Sequence, residues 1–338
     1  MRPLFLLSLP RTGSTLVQRV LGAHEEVATV SEPWLLLPQF YAARTAAAVR
    51  AEYSHEMGAE ALRDFWATLP GGRDEYLAAV RELALTLYRS AGGEGRRYFL
   101  DKTPRYHAVA RDVIDLFDDA KIVFLWRHPL AVMSSLLDTY RLGRLEPYNF
   151  AFDLFDGVEN LTAAARHAGV RAHQVRYEDL VAGGDSEWRK LFEYLELEFD
   201  PGLLTSFPST QLHGRYGDQR HSQGIDGGSL EGWRAHASSR VGNAWCRRYV
   251  RWIGQERLAA MGYDQDAILY ELAQVPVTSS GLADAGSLMV SRAAHMRRRR
   301  ALRVPESPRP IGPNFTDGAT GIRRLAQLAD RHIRHRDP

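Results

Sequence analysis

Phe-Leu-Leu-Ser-Leu at residues 5–9 runs directly into Pro-Arg-Thr-Gly-Ser-Thr at residues 10–15, and this junction sets the fold class. The first run is short, apolar and continuous, which predicts a buried strand. The second run contains a glycine and leads into apolar residues at helical spacing, which are Leu16, Val17, Val20 and Leu21. A strand, a glycine turn and a helix N-terminus form an anion-binding site, because unpaired N–H groups and the positive end of the helix dipole meet there.

Further strands follow along the chain and alternate with helices. Tyr98–Leu100 and Ala172–Arg176 are predicted strands, and Lys121–Trp126 is the clearest one because it is β-branched, aromatic and continuous, as expected when both faces are covered. The predicted helices that follow these strands lie at about Tyr106–Phe117, from near Pro129, and near Glu187–Leu195. This alternation predicts an α/β fold with a doubly wound parallel sheet, whose ligands bind at the carboxyl ends of the strands.

Composition limits the class of protein. The 338 residues can hold one large α/β domain or two medium ones, and the net charge of +2 predicts that any basic patch is local. The one cysteine, Cys246, excludes a disulfide framework and a multi-cysteine metal site, and it fits a reducing compartment. No stretch approaches the roughly 20 apolar residues that span a bilayer, and the start of the chain shows no signal-peptide pattern. We therefore expect a soluble, cytoplasmic protein without a membrane span.

A second candidate anion site follows the strand at residues 121–126. Arg127 stands at the end of this strand, and Ser135 stands eight residues later, two turns into the next helix. Both side chains can reach one phosphate at the neighbouring strand end, where a guanidinium pairs through two charge-assisted hydrogen bonds. Two anion sites at successive strand ends suggest a ligand with phosphates at both ends. Taken singly, residues 10–15 could be an ordinary capped helix, and Arg127 and Ser135 could be structural residues.

The P-loop of nucleoside triphosphate enzymes, Gly-x-x-x-x-Gly-Lys-Ser/Thr, is the nearest alternative for residues 10–15. That motif is absent, since the stretch has one glycine and no Gly-Lys pair, and Arg11 precedes the glycine. An ATP-dependent small-molecule kinase is therefore the rival enzyme class. A second rival is a binding module in which the arginines at residues 297–300 contact nucleic acid. It leaves the paired anion sites unexplained, and we expect no nucleic-acid partner.

With these residues placed, the chain resembles the sulfotransferases that depend on 3′-phosphoadenosine 5′-phosphosulfate (PAPS). Their phosphosulfate loop, Pro-Lys/Arg-Ser/Thr-Gly-Thr/Ser-Thr, matches residues 10–15, and their 3′-phosphate element matches Arg127 and Ser135. The chain is most similar to the tyrosylprotein sulfotransferases and their bacterial relatives, through Leu-Gly-Ala-His at 21–24 and Ser-Glu at 31–32. The resemblance covers about residues 3–262. It implies a P-loop-NTPase-like three-layer α/β/α fold and an O-sulfotransferase that converts PAPS to 3′,5′-ADP without a metal.

The resemblance also implies roles for individual residues. Glu32 falls at the position of the general base, Lys102 falls at the lysine that contacts the transferring group, and Arg11 is the third candidate catalytic residue. The candidate nucleotide-binding residues are Arg11, Thr12, Gly13, Ser14, Thr15, Arg127, Ser135, Tyr177 and Ser222. Pro104 occupies the place of the catalytic histidine of the cytosolic small-molecule enzymes, which argues against histidine-based catalysis.

Three of these residues have structural alternatives. Glu32 could be a capping carboxylate just before Pro33 and a helix, and Lys102 could form a surface ion pair with Asp101. Tyr177 could be an ordinary half-buried aromatic residue after a strand. These alternatives stay open at the level of sequence.

The predicted organisation is a sulfotransferase domain over residues 1–274 and an Arg/Pro-rich extension over 275–338, helical near residues 322–332. The domain includes a helical acceptor-side insertion at about 34–92 and a lid loop at about 208–233, because a segment this long is not an idle connection. The predicted partner is a small-molecule acceptor (a natural product, lipid or sugar), and a peptide tyrosine is the alternative. The extension could cover the acceptor site or make a homodimer contact.

Overall fold

The structure, a computed structural model, describes residues 1–45, 49, 51–210, 212–213 and 230–301. The strands in this part of the chain are β1 (Arg2–Ser8), β2 (Val27–Thr29), β3 (Tyr98–Asp101), β4 (Lys121–Trp126) and β5 (Ala172–Arg176). They form one parallel sheet in the order β2-β3-β1-β4-β5. The predicted α/β class is confirmed, and the four predicted strands are present.

The edge strand β2 was missed by sequence reasoning. It contains only Val27, Ala28 and Thr29, and it pairs with β3 at Tyr98–Leu100. A three-residue strand is too short to show a hydrophobic period. A side-chain hydrogen bond to β3 also holds this strand in place, since the Thr29 hydroxyl donates to the carbonyl of Leu100 at 2.8 Å.

The carboxyl ends of β1 and β4 lie side by side in the middle of the sheet. In their parallel register Leu4 is opposite Lys121 and Ser8 is opposite Leu125. The chain passes from β1 to β2 and β3 on one side of β1, then crosses to β4 on the other side. The strand order therefore reverses between β1 and β4, which is where open α/β sheets bind ligands. Residues 9–13 and Arg127 emerge at this point.

Helices cover both faces of the sheet. The α-helices of the described residues are α1 (Ser14–Gly22), α2 (Leu36–Tyr41), α3 (His55–Trp66), α4 (Gly72–Tyr88), α5 (Ala110–Leu116), α6 (Pro129–Arg141), α7 (Val158–Ala168), α8 (Tyr177–Ala182), α9 (Asp185–Tyr194), α10 (Leu203–Ser206), α11 (Trp233–His236), α12 (Arg240–Ala260), α13 (Gln265–Gln274) and α14 (Leu282–Ala301). Short 3₁₀ turns occupy Pro104–Ala108, Pro147–Phe150, Gly169–Arg171 and Phe207–Ser209, and π-helical turns occupy Arg89–Gly93 and Phe152–Gly157.

Two apolar clusters, one on each face of the sheet, make the fold a three-layer α/β/α arrangement. Successive side chains of a strand point to opposite faces, so Leu4 and Leu6 of β1 join a cluster with α1 and α9. Phe5 and Leu7 join the larger cluster with α5, α6, α7 and α12. The strands are buried on both faces, which explains why β1 and β4 read as continuous apolar runs.

The helix predicted over residues 106–117 is in fact two elements. A 3₁₀ turn at Pro104–Ala108 is separated from α5 at Val109, whose backbone has φ −134° and ψ 18°. The turn lets the Tyr106 side chain return to the end of β3, where its hydroxyl donates to Asp101 Oδ2 at 2.9 Å. The break in the helix therefore allows the hydrogen bond between Tyr106 and Asp101, which the spacing of apolar residues in the sequence does not predict.

The described residues beyond the predicted boundary at 274 pack onto the rest of the chain. Val275 is buried in the larger cluster, the Arg240 amide donates to the carbonyl of Ser279 at 3.0 Å, and α14 packs on α12 and on the turn at 147–150. The domain division stays a prediction, and the predicted helix near residues 322–332 lies outside the described residues. Among the helices that are described, none combines the length and apolarity needed to cross a membrane.

Candidate active site

The turn after β1 is built around two left-handed residues. Arg11 has φ 68° and Gly13 has φ 90°. A methyl group at position 13 would lie 2.3 Å from ring carbons of Tyr177, so glycine is required for both conformation and space. The Thr12 hydroxyl donates to the carbonyl of Leu9 at 2.9 Å and closes the turn. The amides of Leu16 and Val17 donate to the carbonyl oxygen of Gly13 at 2.9 and 3.3 Å, so the hydrogen bonds of α1 start at the turn itself.

The two predicted anion sites are in direct contact. Arg11 Nε donates to the hydroxyl of Ser135 on α6 at 3.0 Å, and Arg127 Nη1 donates to the carbonyl oxygen of Arg11 at 2.9 Å. Burial lowers the pKa of Arg127, but a guanidinium stays protonated in proteins. Residues separated by more than 100 positions therefore form one cationic edge above β1 and β4.

Tyr177 supports this edge from beneath. Its ring is 1% exposed and packs against Gly13, and the guanidinium carbon of Arg127 lies 4.6 Å from the ring centroid. A cation over an aromatic face at this distance is attracted to it. Tyr177 is thus fully buried, and the alternative of an ordinary half-buried aromatic residue does not describe it. Its predicted role in nucleotide binding, which the family resemblance implies as a contact near the adenine, stays a prediction.

Glu32 and Lys102 form a partly buried ion pair beside the turn. Lys102 Nζ lies 2.9 Å from Glu32 Oε1 and 3.5 Å from the Thr15 hydroxyl, and the lysine is 0% exposed. The alternative of a surface ion pair between Lys102 and Asp101 is therefore excluded. The capping alternative for Glu32 also fails, because α2 begins at Leu36 and no side chain caps it.

Trp34 holds the second oxygen of the Glu32 carboxylate. Its indole N–H donates to Glu32 Oε2 at 3.3 Å, and its ring is 38% exposed. Its backbone has φ 55°, a left-handed conformation that is rare for a bulky residue and that clusters at functional sites. In the sequence Trp34 is one of several aromatic residues that would suit an apolar acceptor and would suit an ordinary core better, and no local pattern indicates its left-handed backbone.

Asp101, at the end of β3, is a buried carboxylate with three hydroxyl donors. The donors are Tyr88 at 2.6 Å and Tyr106 at 2.9 Å to Oδ2, and Thr103 at 3.1 Å to Oδ1. Burial raises the pKa of Asp101 to about 6, against the opposing effect of these hydrogen bonds. The carboxyl is therefore mainly deprotonated at neutral pH and acts as an acceptor only.

His128 and Trp233 close the other flank of Arg127. The two rings stack with centroids 5.2 Å apart, and Trp233 is the described end of the predicted lid loop. Burial, with the charge of Arg127 adding to it, lowers the pKa of His128 to about 4, so its ring is neutral at physiological pH. The remainder of that loop at residues 211 and 214–229, including the candidate Ser222, lies outside the described residues.

The fold and this edge define the class of the protein. It is an α/β protein of P-loop-like fold with a cationic, glycine-containing turn at the reversal point of its sheet. A model of the sulfotransferase family matches residues 3–201. The chain therefore belongs to the sulfotransferase family.

Two relatives are similar to this chain over most of its length. The chain is 28% identical over 288 residues to the nodulation protein NoeE of Sinorhizobium fredii, covering 77% of this chain and 66% of that protein. It is 23% identical over 246 residues to an uncharacterized protein of Aquifex aeolicus, covering 70% of this chain and 31% of that protein. The chain thus spans less than two thirds of the length of either relative.

Solved structures of sulfotransferases are also similar. The sulfotransferase domain of the Synechococcus PCC 7002 olefin synthase matches with 27% identity and a TM-score of 0.45, covering 69% of this chain and 88% of that domain. Mouse sulfotransferase SULT7A1 complexed with PAP matches with 12% identity and a TM-score of 0.42, covering 80% of this chain and 88% of that one.

Proposed function

We propose that this protein transfers the sulfuryl group of PAPS to a hydroxyl group of an acceptor. The observation that carries the proposal is the contact between the two anion sites, in which Arg11 reaches Ser135 and Arg127 reaches the backbone of Arg11. A nucleotide with a phosphosulfate at its 5′ end and a phosphate at its 3′ position presents anions to both. The residues present fit such a ligand, because guanidinium groups and N–H groups of a helix N-terminus are the ordinary partners of phosphate.

In this proposal Arg11, Thr12, Gly13, Ser14 and Thr15 bind the 5′ end. Arg127 and Ser135 bind the 3′-phosphate, and Ser222 is a further candidate for a contact with a phosphate of the nucleotide. Arg11, Lys102 and the first amides of α1 stabilise the charge that spreads over the sulfuryl oxygens and the departing phosphate. Because these groups are held by contacts that already exist, little reorganisation is needed during the transfer.

The proposed chemistry is an in-line displacement. The acceptor oxygen forms a bond to sulfur while the bond between sulfur and the 5′-phosphate oxygen breaks, and the products are a sulfate ester and 3′,5′-ADP. The acceptor loses its proton to Glu32, which supplies the general base. The ion pair with Lys102 supports this role, since it holds the Glu32 carboxylate 2.9 Å from the lysine that is proposed to contact the transferring group.

For the acceptor we propose a small hydroxylated molecule such as a natural product, a lipid or a sugar, with a peptide tyrosine as the alternative. Trp34 supports an acceptor with a ring or apolar surface, because it is 38% exposed and its indole contacts the carboxylate of the proposed base. We place the reaction in the cytoplasm, which the single buried cysteine Cys246 suits.

Ligand binding and turnover test the function as a whole. We expect 3′,5′-ADP to raise the melting temperature of the protein, whereas ATP with Mg²⁺ does not, because a ligand stabilises the state that binds it. Incubation with PAPS and a panel of hydroxylated acceptors, including a tyrosine peptide, is then read by mass for a sulfated product. Stabilisation by ATP with Mg²⁺ and not by 3′,5′-ADP would favour the kinase alternative.

Replacing Arg127 by alanine tests the 3′-phosphate assignment. We expect the affinity for 3′,5′-ADP to fall about 10–100-fold, the typical value of a hydrogen bond to a charged group. The affinity for 5′-AMP, which lacks the 3′-phosphate, should change far less. Calorimetric titration of both nucleotides measures the two losses.

Arg176 supplies a matched control for that experiment. It ends the neighbouring strand β5, opposite Trp126, and its guanidinium pairs with Asp179 at 2.7 Å instead of facing the turn. Arg176→Ala should leave the ratio of the two nucleotide affinities unchanged. Equal losses of 3′,5′-ADP and 5′-AMP in Arg127→Ala would remove the residue from the 3′-phosphate site and leave it a support of the turn.

A further inference from the structure

The segment that carries Glu32 is held to β3 by two backbone amides. The amide of Leu36 donates to the Tyr106 hydroxyl at 3.1 Å, and the amide of Trp34 lies 3.4 Å from the Thr103 hydroxyl. Thr103 and Tyr106 follow β3 within five residues, close to Lys102 in the chain. Each hydrogen bond therefore joins the Glu32 segment to the residues around Lys102. The segment thus depends on side chains about 70 positions away for its place.

Asp101 accepts the protons of both hydroxyls and thereby orients them. A hydroxyl has one proton to donate, and the carboxylate of Asp101 can only accept. The hydroxyls of Thr103 and Tyr106 donate that proton to Asp101, at 3.1 and 2.9 Å. Their oxygen lone pairs are therefore turned towards the amides of Trp34 and Leu36. All three side chains are completely buried or nearly so, and water does not compete for these groups.

The segment Glu32–Leu36 is strained at Trp34, and its first residue is the proposed base. Trp34 keeps its left-handed φ of 55°, which persists only where surrounding contacts over-determine it. In this conformation the indole N–H reaches one oxygen of Glu32 while Lys102 reaches the other. Lys102 lies between Asp101 and Thr103 in the chain, so the same cluster bears on both members of the ion pair.

We propose that Asp101, Thr103 and Tyr106 are positioning residues that fix the Glu32–Leu36 segment and thereby hold the Glu32 carboxylate against Lys102. The inference rests on the proposed function for the role of Glu32, but the positioning itself is a property of the fold. The proposal assigns these three residues no contact with the reacting atoms. They act through the backbone of Trp34 and Leu36.

Tyr88 and Tyr106 form a matched pair of probes. Both are buried, with 2% and 0% exposure, and both hydroxyls donate to the same oxygen of Asp101. Tyr88 comes from the end of α4, whereas the Tyr106 hydroxyl also accepts the amide of Leu36. Phenylalanine at either position removes one hydrogen bond to Asp101. Only Tyr106→Phe also removes the hydroxyl oxygen that accepts the hydrogen bond from the Leu36 amide.

Hydrogen–deuterium exchange of peptides that cover residues 32–41 measures the positioning directly. We expect the Leu36 amide to exchange about tenfold faster in Tyr106→Phe, in line with the loss of one hydrogen bond, and at the wild-type rate in Tyr88→Phe. With PAPS and the best acceptor of the panel, or with water as acceptor, kcat should fall about 10–100-fold in Tyr106→Phe because the base is misplaced. The affinity for 3′,5′-ADP should stay within about twofold of wild type, as the lost bond lies outside the anion sites.

Thr103 provides the rescue experiment. Thr103→Val removes the hydroxyl at nearly constant shape and should lower kcat, while Thr103→Ser keeps the hydroxyl and should restore most of it. Equal exchange rates and equal kcat in the two tyrosine variants would overturn the positioning role, whatever their melting temperatures. If exchange changes as expected but the wild-type protein transfers no sulfuryl group to any acceptor or to water, the positioning stands and the proposed function fails.

Discussion

Glu32→Gln is expected to lower the turnover of PAPS by about 10²–10⁴-fold, the usual contribution of a general base. Glutamine has nearly the same shape and can still accept from the Trp34 indole, but it cannot take a proton from the acceptor. Binding of 3′,5′-ADP should persist, because Glu32 contacts neither Arg11 nor Arg127 in the structure. Steady-state turnover and calorimetric binding of 3′,5′-ADP give the two quantities.

The control for this variant is an exposed carboxylate outside the site. Glu26 lies 3.9 Å from the guanidinium of Arg97 and is 45% exposed, so Glu26→Gln should change neither turnover nor binding. A turnover of Glu32→Gln close to that of the wild type would exclude Glu32 as the base. Thermal unfolding should be measured as well, since the variant leaves the buried Lys102 ammonium without its carboxylate and thereby loses stability.

Lys102→Met is the second variant with a large expected effect. Methionine is unbranched and similar in length, so it fills the space of a side chain that is 0% exposed while removing the charge. Loss of a donor aimed at developing charge typically costs about 10²–10³-fold in kcat. We expect a loss of this size and a smaller loss of affinity for 3′,5′-ADP, because the product keeps the 5′-phosphate but lacks the sulfuryl group.

Lys190, one of the three lysines of the chain, supplies the matched control. It is exposed and pairs with Glu187 at 2.5 Å on the surface of α9, so Lys190→Met should leave turnover unchanged. Wild-type turnover in Lys102→Met would show that the lysine only balances the charge of Glu32. The double variant with Glu32→Gln should be little slower than the slower single variant, because residues that act as a unit give non-additive losses.

Local sequence was sufficient for the elements that carry the anion edge. Residues 5–15 contain a buried strand, a glycine turn and a helix start, and all three are properties of neighbouring residues. The same holds for β4, whose bounds Lys121–Trp126 were predicted from its β-branched and aromatic composition. Arg11 and Ser135 were predicted to lie at neighbouring strand ends, because parallel strands bring their carboxyl ends to one edge of the sheet, but their direct hydrogen bond was not predicted.

The surroundings of Glu32 could not be predicted in the same way. The role of Glu32 was predicted from a family resemblance. The segment that carries Glu32 is held in place by Asp101, Thr103 and Tyr106, which lie about 70 residues later in the chain. Asp101 itself gathers Tyr88 and Tyr106 from opposite sides of the β3 strand in sequence. Hydroxyl groups of this kind have no period or spacing that would single them out, since tyrosine and threonine are ordinary core residues.

The amino-acid sequence by itself determined the alternation of strands and helices, the glycine turn after β1 and the cations at two strand ends, because these depend on side chains close together in the chain. Only the tertiary structure decided the strand order β2-β3-β1-β4-β5, the burial of Tyr177 beneath Gly13, and the hydrogen bonds that join Trp34 and Leu36 to the end of β3. These features depend on packing between distant segments, where a contact forms only after the sheet has brought both partners to one edge.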